Sequence, residues 1–245
     1  MSDRIFDIGG AGIDAADERV KSMMNNLVNA ETPGFRKTDV VQKAFPLELE
    51  AAEKRLSTMK PMVEAAYYDH LHGALVRTGN PTDMAIGGDG FFVVAAPWGD
   101  GYTRDGRFIV NNNGELVSLS GNYQLMGQKG PIVVPPGSSI TISNAGEVKV
   151  GDVVVDRIRV VQVPDTATLD SVSGAMFRAT DSTVNIEEVS SPNMIQGYVE
   201  SSNVSMMDEM MNMVTISHLY DVNVKLIQTR DASLASADTM GKPTQ

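Results

Sequence analysis

Residues 198–240 read YVESSNVSMMDEMMNMVTISHLYDVNVKLIQTRDASLASADTM, without one glycine or proline, in a 245-residue chain that holds 22 glycines and 11 prolines. Those two residues end helices, so the stretch predicts one long uninterrupted helix. Met206, Met210, Met213, Ser217, Tyr220, Val224, Ile227 and Leu234 follow one another at steps of three and four, interrupted by Asp231. That spacing keeps one seam apolar and fits coiled-coil packing better than a lone surface helix. Ser205 is placed to cap the helix, and Asp208 and Glu209 oppose its dipole. From Ser205 to Thr239 the helix would extend roughly 50 Å at 1.5 Å per residue. One helix of that length cannot bury its seam against itself. A partner stands at the other end of the chain, where Ile13, Ala16, Val20, Met23 and Leu27 repeat the rhythm. Asp14 would cap this second helix, with Asp17 and Glu18 in its first turn. The expected fold class is therefore α+β, with long N- and C-terminal helices pairing as a coiled-coil-like element around a central antiparallel β-rich domain. Two core helices of an ordinary globular domain are the plainer alternative.

The formal net charge of −11 argues against a nucleic-acid-binding surface. The absence of cysteine excludes disulfides, thiolate metal sites and cysteine nucleophiles. The opening MSDRIFDIGGAGIDAADERV has no cationic region followed by an apolar core, so no conventional secretory signal is expected. No apolar stretch approaches the length that spans a membrane. These features predict a soluble protein that does not use the general secretory route.

Four regions follow along the chain. Residues 1–36 are expected to form an N-terminal helical arm and a turn, where Pro33 disfavours helix at Thr32 and Gly34 offers a positive φ. Residues 37–76 read as an extended or partly helical linker, with a short helix from Leu47 to Leu56 that Pro46 starts and Pro61 ends. Residues 77–200 read as the central β domain. Met84 to Ile86 and Phe91 to Ala95 flank Gly87 to Gly90 as strands flank a turn. Asp105-Gly106 separates Tyr102–Arg104 from Arg107–Val110, and Asn112-Asn113-Gly114 precedes a further strand from Glu115 to Leu119. Short apolar runs at Ile132–Val134, Ile140–Ile142, Val148–Val150, Val153–Val155 and Ile158–Val163 continue the pattern, with more strands in Phe177–Ile186 and Gly197–Glu200. Residues 201–245 form the C-terminal long helix, expected to pair with the N-terminal arm.

Reacting groups are scarce. His70 and His72 share a face of a strand if the chain is extended there, but two histidines without a third ligand make a weak metal site. His218 falls inside the long helix as a packing or hydrogen-bonding residue. Asp83, Asp89, Asp100 and Asp105 lie close in sequence, yet their spacing is not that of an EF-hand and three of them adjoin glycine, as turn aspartates do. Gly87 to Gly90 lacks the lysine of a phosphate-binding loop, and GxSxG and HExxH are absent. No catalytic, cofactor-binding or metal-binding residue is expected, and no cofactor.

Four segments carry a family likeness. Residues 25–35, NNLVNAETPGF, hold Asn26, Leu27, Asn29, Thr32, Pro33, Gly34 and Phe35. Residues 78–86, TGNPTDMAI, lead to Gly90, Phe91 and Phe92, and residues 102–108, YTRDGRF, hold Tyr102, Thr103, Arg104 and Gly106. Residues 197–204, GYVESSNV, hold Ser202, Asn203 and Val204 and precede the helix with Met210, Asn212, Met213, Tyr220, Asn223 and Lys225. In this order they resemble the signatures of the flagellar rod and hook proteins. The chain's length and residues 32–36 look most like the proximal rod branch, with the distal rod branch the close alternative. His218 and Leu219 depart from the arginine and small residue common there. The resemblance implies a structural subunit of the bacterial flagellar basal-body rod that transmits motor torque by helical self- and hetero-assembly. It further implies residence in the periplasm-spanning rod, export through the flagellar type III apparatus, and other rod proteins and copies of itself as partners. Nucleic acid and stable membrane insertion are not expected. The assembly interface would be Ile13, Ala16, Val20, Met23 and Leu27 with Met206, Met210, Met213, Tyr220, Val224, Ile227 and Leu234. From another class, an acidic β-domain ligand-binding protein is the competing reading.

Overall fold

The computed structural model describes residues 2–47, 58–69, 71–135, 137–163, 169–180 and 186–240. Helix α1 (Ser2–Val28) is followed by strands β1 (Thr38–Leu47), β2 (Thr58–Tyr68), β3 (Leu75–Arg77), β4 (Met84–Ile86), β5 (Phe91–Ala96) and β6 (Gly99–Thr103). Then come β7 (Phe108–Val110), β8 (Leu116–Ser118), β9 (Gln124–Leu125), β10 (Ile140–Ile142), β11 (Glu147–Val150) and β12 (Val153–Arg157). The last elements are β13 (Val160–Gln162), β14 (Leu169–Ser173), β15 (Met176–Ala179), β16 (Glu187–Glu188), β17 (Met194–Gln196), β18 (Tyr198–Glu200) and helix α2 (Met206–Met240). They fall into two compact units, one of Met1–Leu27, Thr38–Tyr67 and Ser205–Gln245, the other of Val28–Lys37 and Tyr68–Val204.

In the first unit α1 and α2 accompany the two-stranded sheet of β1 and β2. Helix α1 starts at Ser2, well before the cap expected at Asp14, and runs through Gly9, Gly10 and Gly12. Ser205 caps α2 as expected: its Oγ accepts from the Asp208 amide at 3.4 Å, with Asp208 and Glu209 in the first turn. The coiled-coil pairing of the two helices is overturned. The described packing between them is one patch, where Ala16 and Met23 bury with Ile216 and where Val20 and Met213 lie alongside. Ile216 is off the expected seam, whereas the seam residues Met206, Met210 and Tyr220 are exposed. The reason is in the sequence of α2: Met207, Met211, Val214, Leu219 and Val222 spread apolar side chains around the helix, so several stripes at three-four spacing compete. Near Gly12, α1 passes the Asn223 side chain so closely that an added Cβ would stand 3.2 Å from its Nδ2.

Residues 38–47 and 58–68 are strand. Leu47, the expected start of a helix, ends β1 instead, and the rest of that expected helix lies outside the described residues. Pro46 and Pro61 both sit in strands, which is tolerable because each strand of a two-stranded sheet has an edge that needs no donor. The start of β1 is fastened to α1 by the buried Asn26, whose Oδ1 accepts from the Thr38 amide and whose Nδ2 donates to the Thr38 carbonyl, both at 2.8 Å. Ser22 Oγ donates to the same carbonyl at 2.8 Å.

The second unit is β-rich. Its largest sheet has nine strands in the order β14-β15-β6-β5-β9-β8-β7, with β13 joining β5 to β16. Strand β5 reads FFVVAA because both of its faces are covered. Phe92 and Val94 enter one core with Phe108, Leu116 and Leu125, while Phe91 and Val93 enter another with Tyr102, Val161 and Phe177. The hairpin expected across Gly87–Gly90 does not form: β4 pairs with β17, and β5 pairs with β6, β9 and β13. The turn after Asn112 does join β7 to β8. The run Ile132–Val134 contributes only a bridge from Val133 to Glu115.

Asn26→Ala should leave the Thr38 amide without its acceptor. Hydrogen exchange at that amide is expected to accelerate about tenfold to a hundredfold, matching the ~1–3 kcal/mol of an unsatisfied buried donor. Unchanged exchange would mean that the β1 start is held by something else.

Candidate functional site: a buried charged junction

All four motif segments singled out in the sequence contribute residues to one junction in the second unit. Turn residues come first. Thr32 Oγ1 donates to Asn29 Oδ1 at 3.2 Å, and the Gly34 amide donates to the Glu200 carbonyl at 2.8 Å. Gly34 has φ of +71°, and a Cβ there would lie 2.3 Å from the backbone carbon of Arg104. Only glycine lets the two segments approach this closely. The chain leaves this turn with Phe35 and Arg36 buried.

Arg36 then meets Glu200, at the end of β18, with Nη2 to Oε1 at 2.8 Å. Arg104, just after β6, reaches Oε2 of the same carboxylate with Nη1 at 3.1 Å. The side chains of Arg36, Glu200 and Arg104 are only 1%, 2% and 2% exposed, so this is an interior ion triad. The Gly73 amide donates to Glu200 Oε1 at 3.0 Å. Terminal guanidinium nitrogens also reach carbonyls: Arg36 donates to Leu71, and Arg104 to Ile86 at 3.2 Å and Gly88 at 2.5 Å, while the buried Nε of each arginine makes no hydrogen bond among the described residues. Arg104 also lies over the Phe91 ring, 5.6 Å from its centroid.

His72 closes the exposed side. Its Nε2 faces Asp89 Oδ1 at 2.9 Å, and its Nδ1 faces Arg36 Nη2 at 3.3 Å. A guanidinium can only donate, so Nδ1 accepts there and the Nε2–H donates to Asp89. Asn203 fixes the neighbouring backbone, accepting from the Lys37 amide at 2.7 Å and donating to the carbonyls of Asp69 at 2.8 Å and Leu71 at 3.1 Å.

Two cations share one anion here, and burial is the larger influence on both. It lowers the proton affinity of Arg36 and pulls Arg104 down to about 10, with the Glu200 charge opposing the shift in each case. Both guanidiniums are charged at neutral pH. Glu200 accepts from three donors, the two guanidiniums and the Gly73 amide, which suits a structural clamp.

The other expected positions are scattered or differently used. Gly90 has φ of +129° with Val160 close by, and Gly106 has no room for a Cβ, which would fall 1.6 Å from the Met84 carbonyl. Thr103 Oγ1 donates to the Ala175 carbonyl at 2.9 Å, and Tyr102, Phe91 and Phe92 are core. Ser202 Oγ accepts from the Val204 amide at 3.2 Å. Asp83, Asp89, Asp100 and Asp105 each face a different partner, namely Asn80, His72, Arg159 and Arg107. His70 lies outside the described residues, and His218 is exposed on α2. On α1, Ala16, Met23 and Asn26 are buried and Ile13, Val20 and Leu27 half-buried; on α2, Met213, Val224 and Ile227 are half-buried. The side chain of Leu234 lies outside the described residues.

Sequence reading missed the triad itself. Arg104 and Glu200 lie within the quoted segments and Arg36 directly follows the first, and a glutamate in a β strand beside two such arginines is a signal. Spacing alone could not pair Glu200 with arginines 96 and 164 positions away.

A family model described as the flagellar hook protein FlgE/F/G D1 domain matches residues 85–150. A second, described as the flagellar basal body rod FlgEFG protein C-terminal, matches residues 195–240. The flagellar basal-body rod protein FlgF of Caulobacter vibrioides is 31% identical over 224 residues, covering 89% of this chain and 90% of that protein. FlgF of Mesorhizobium japonicum is 30% identical, covering 93% of each. The rod protein FlgG of Buchnera aphidicola is 28% identical over 256 aligned positions that take in 93% of this chain and 95% of that protein.

Glu200→Gln should strand two buried guanidiniums and lower unfolding free energy by ~3–5 kcal/mol. The melting transition of the β-rich unit would then fall by roughly 6–20 °C. Asp170→Asn, at the exposed pair with Arg178, should change stability by less than about 1 kcal/mol. Equal shifts for the two variants in a calorimetric scan would deny the triad its structural role.

Proposed function

This chain belongs to the flagellar basal-body rod protein family, and from that premise we propose that it is the FlgF-type subunit, placed in the proximal rod. It is a structural subunit of the flagellar basal body. The FlgF assignment is supported by identities of 31% and 30% to two FlgF proteins, against 28% to the FlgG protein. The distal FlgG-type role is the second reading.

One observation carries the assembly role. Met206, Met207, Met210, Met211, Val214, Leu219, Tyr220 and Val222 of α2 are all 40–68% exposed. An exposed apolar surface of this extent marks a protein contact. Neighbouring rod subunits, both other rod proteins and copies of this chain, supply that cover. In this reading Met206, Met210, Tyr220 and Val224 lie in intersubunit contacts, together with exposed parts of α1 such as Met24. Heterologous contacts repeated by a screw operation build a rod, and torque passes through them without covalent chemistry. Delivery through the flagellar type III apparatus belongs to the same proposal.

Met210 is 46% exposed, so Met210→Asp puts a charge on the surface of α2 at little cost to the isolated chain. The variant is expected to melt like the parent and to leave the cytoplasm, yet to be missing from isolated basal bodies. Normal incorporation of Met210→Asp would remove this surface from the assembly contacts.

A further inference from the structure

A cleft of about 360 Å³ opens on the second unit between the chain ahead of β4, the start of β10 and the β17–β18 junction. Its wall includes Arg77, Asn80, Pro81, Ile140, Gln196 and Tyr198. The Gln196 amide is spoken for, donating to the carbonyls of Pro81 at 2.6 Å and Ile140 at 2.9 Å and accepting from the Ile142 amide at 3.1 Å. Asn80 Nδ2 donates to Asp83 at 3.1 Å. Arg77, the cross-strand partner of Tyr198, adds a guanidinium to this wall.

Arg77 differs from the other arginines of this unit. Arg36 and Arg104 hold Glu200, Arg107 holds Asp105, Arg157 holds Glu147, Arg159 holds Asp100 and Glu188, and Arg178 holds Asp170. Among the described residues, Arg77 has no carboxylate partner. In a chain with 31 acidic and 20 basic side chains, a leftover arginine at the mouth of a cleft is available to an external carboxylate. Strand β3 is exposed throughout, and among the described residues its one ladder partner is β18, which leaves its other edge to an added strand.

We propose that this cleft and strand edge receive an extended, carboxylate-bearing segment of a neighbouring copy of this chain, with Arg77 as the recognising cation. The inference rests on the rod reading above and names one contact within it. A second copy is the fitting occupant because it supplies the acidic side chains in excess and is the neighbour that assembly provides. The bond is non-covalent: a guanidinium fork on a carboxylate, flanked by backbone pairing along β3.

The test compares Arg77→Glu and Arg77→Lys in cells and in purified form. Arg77→Glu is expected to melt like the parent but to enter basal bodies at least about tenfold less, since like charges facing one another suppress a contact strongly. Arg77→Lys, which keeps the charge, should retain most of the incorporation. A photo-crosslinking benzoylphenylalanine at Tyr198 leaves Arg77 in place, and in assembled basal bodies it should capture an Asp- or Glu-bearing segment of a second copy. Parental incorporation of Arg77→Glu, or capture of a carboxylate-free segment or of a different rod protein, would overturn the inference while leaving the rod reading intact. Absence of the parental chain from isolated basal bodies would overturn both.

Discussion

One carboxylate, Glu200, stands between two guanidiniums that water does not reach, and the β-rich unit depends on that arrangement. Removing each charge from water costs several kcal/mol, which is offset only when all partners are in place. The partners come from residues 36, 104 and 200, so the interaction is all or nothing across most of the chain. A half-formed version leaves a buried cation facing carbonyls alone. The fold tolerates the triad because Leu71, Gly73, Ile86 and Gly88 turn backbone groups toward it. Polar closure of this kind rewards one alignment of the three segments, where apolar contacts would accept several.

The triad and the hydrophobic cores meet at β5. Alternation along FFVV sends Phe92 and Val94 to one face and Phe91 and Val93 to the other, and Arg104 rests on Phe91. The glycines of the motifs have a matching explanation. At Gly34 and Gly106 another stretch of backbone occupies the place where a side chain would begin. These residues are needed for close approach more than for flexibility.

Legibility in the sequence followed the range of the interaction. The Asn112–Gly114 turn and the N-cap at Ser205 are local, and both were readable from a few adjacent residues. Strand partners were less so: Gly87–Gly90 has a hairpin's composition, but β4 is claimed by β17 over a hundred residues away. Prolines 46 and 61 read as helix punctuation, whereas a two-stranded sheet with open edges houses both. The coiled-coil reading failed for a different reason. A three-four rhythm selects a seam only if the rest of the helix is polar, and α2 is not. The site was half legible: its segments could be quoted, and its charge pairing could not.

Charge explains why the two kinds of surface coexist. Six of the seven arginines in the β-rich unit pair with the unit's own carboxylates, and the excess of 31 acidic over 20 basic side chains gives a net charge of −11, so copies repel one another. That repulsion keeps free subunits apart and is screened over about 8–10 Å at physiological salt. Contacts that hold such copies together must therefore draw on something the repulsion does not cancel. Apolar area is one source, because its burial is not screened, and α2 displays it in quantity. A cation kept out of the internal pairing is the other, and it adds direction where apolar area gives none. In the proposed assembly a neighbour must offer both an apolar cover and a correctly placed carboxylate, which would tie association to one geometry.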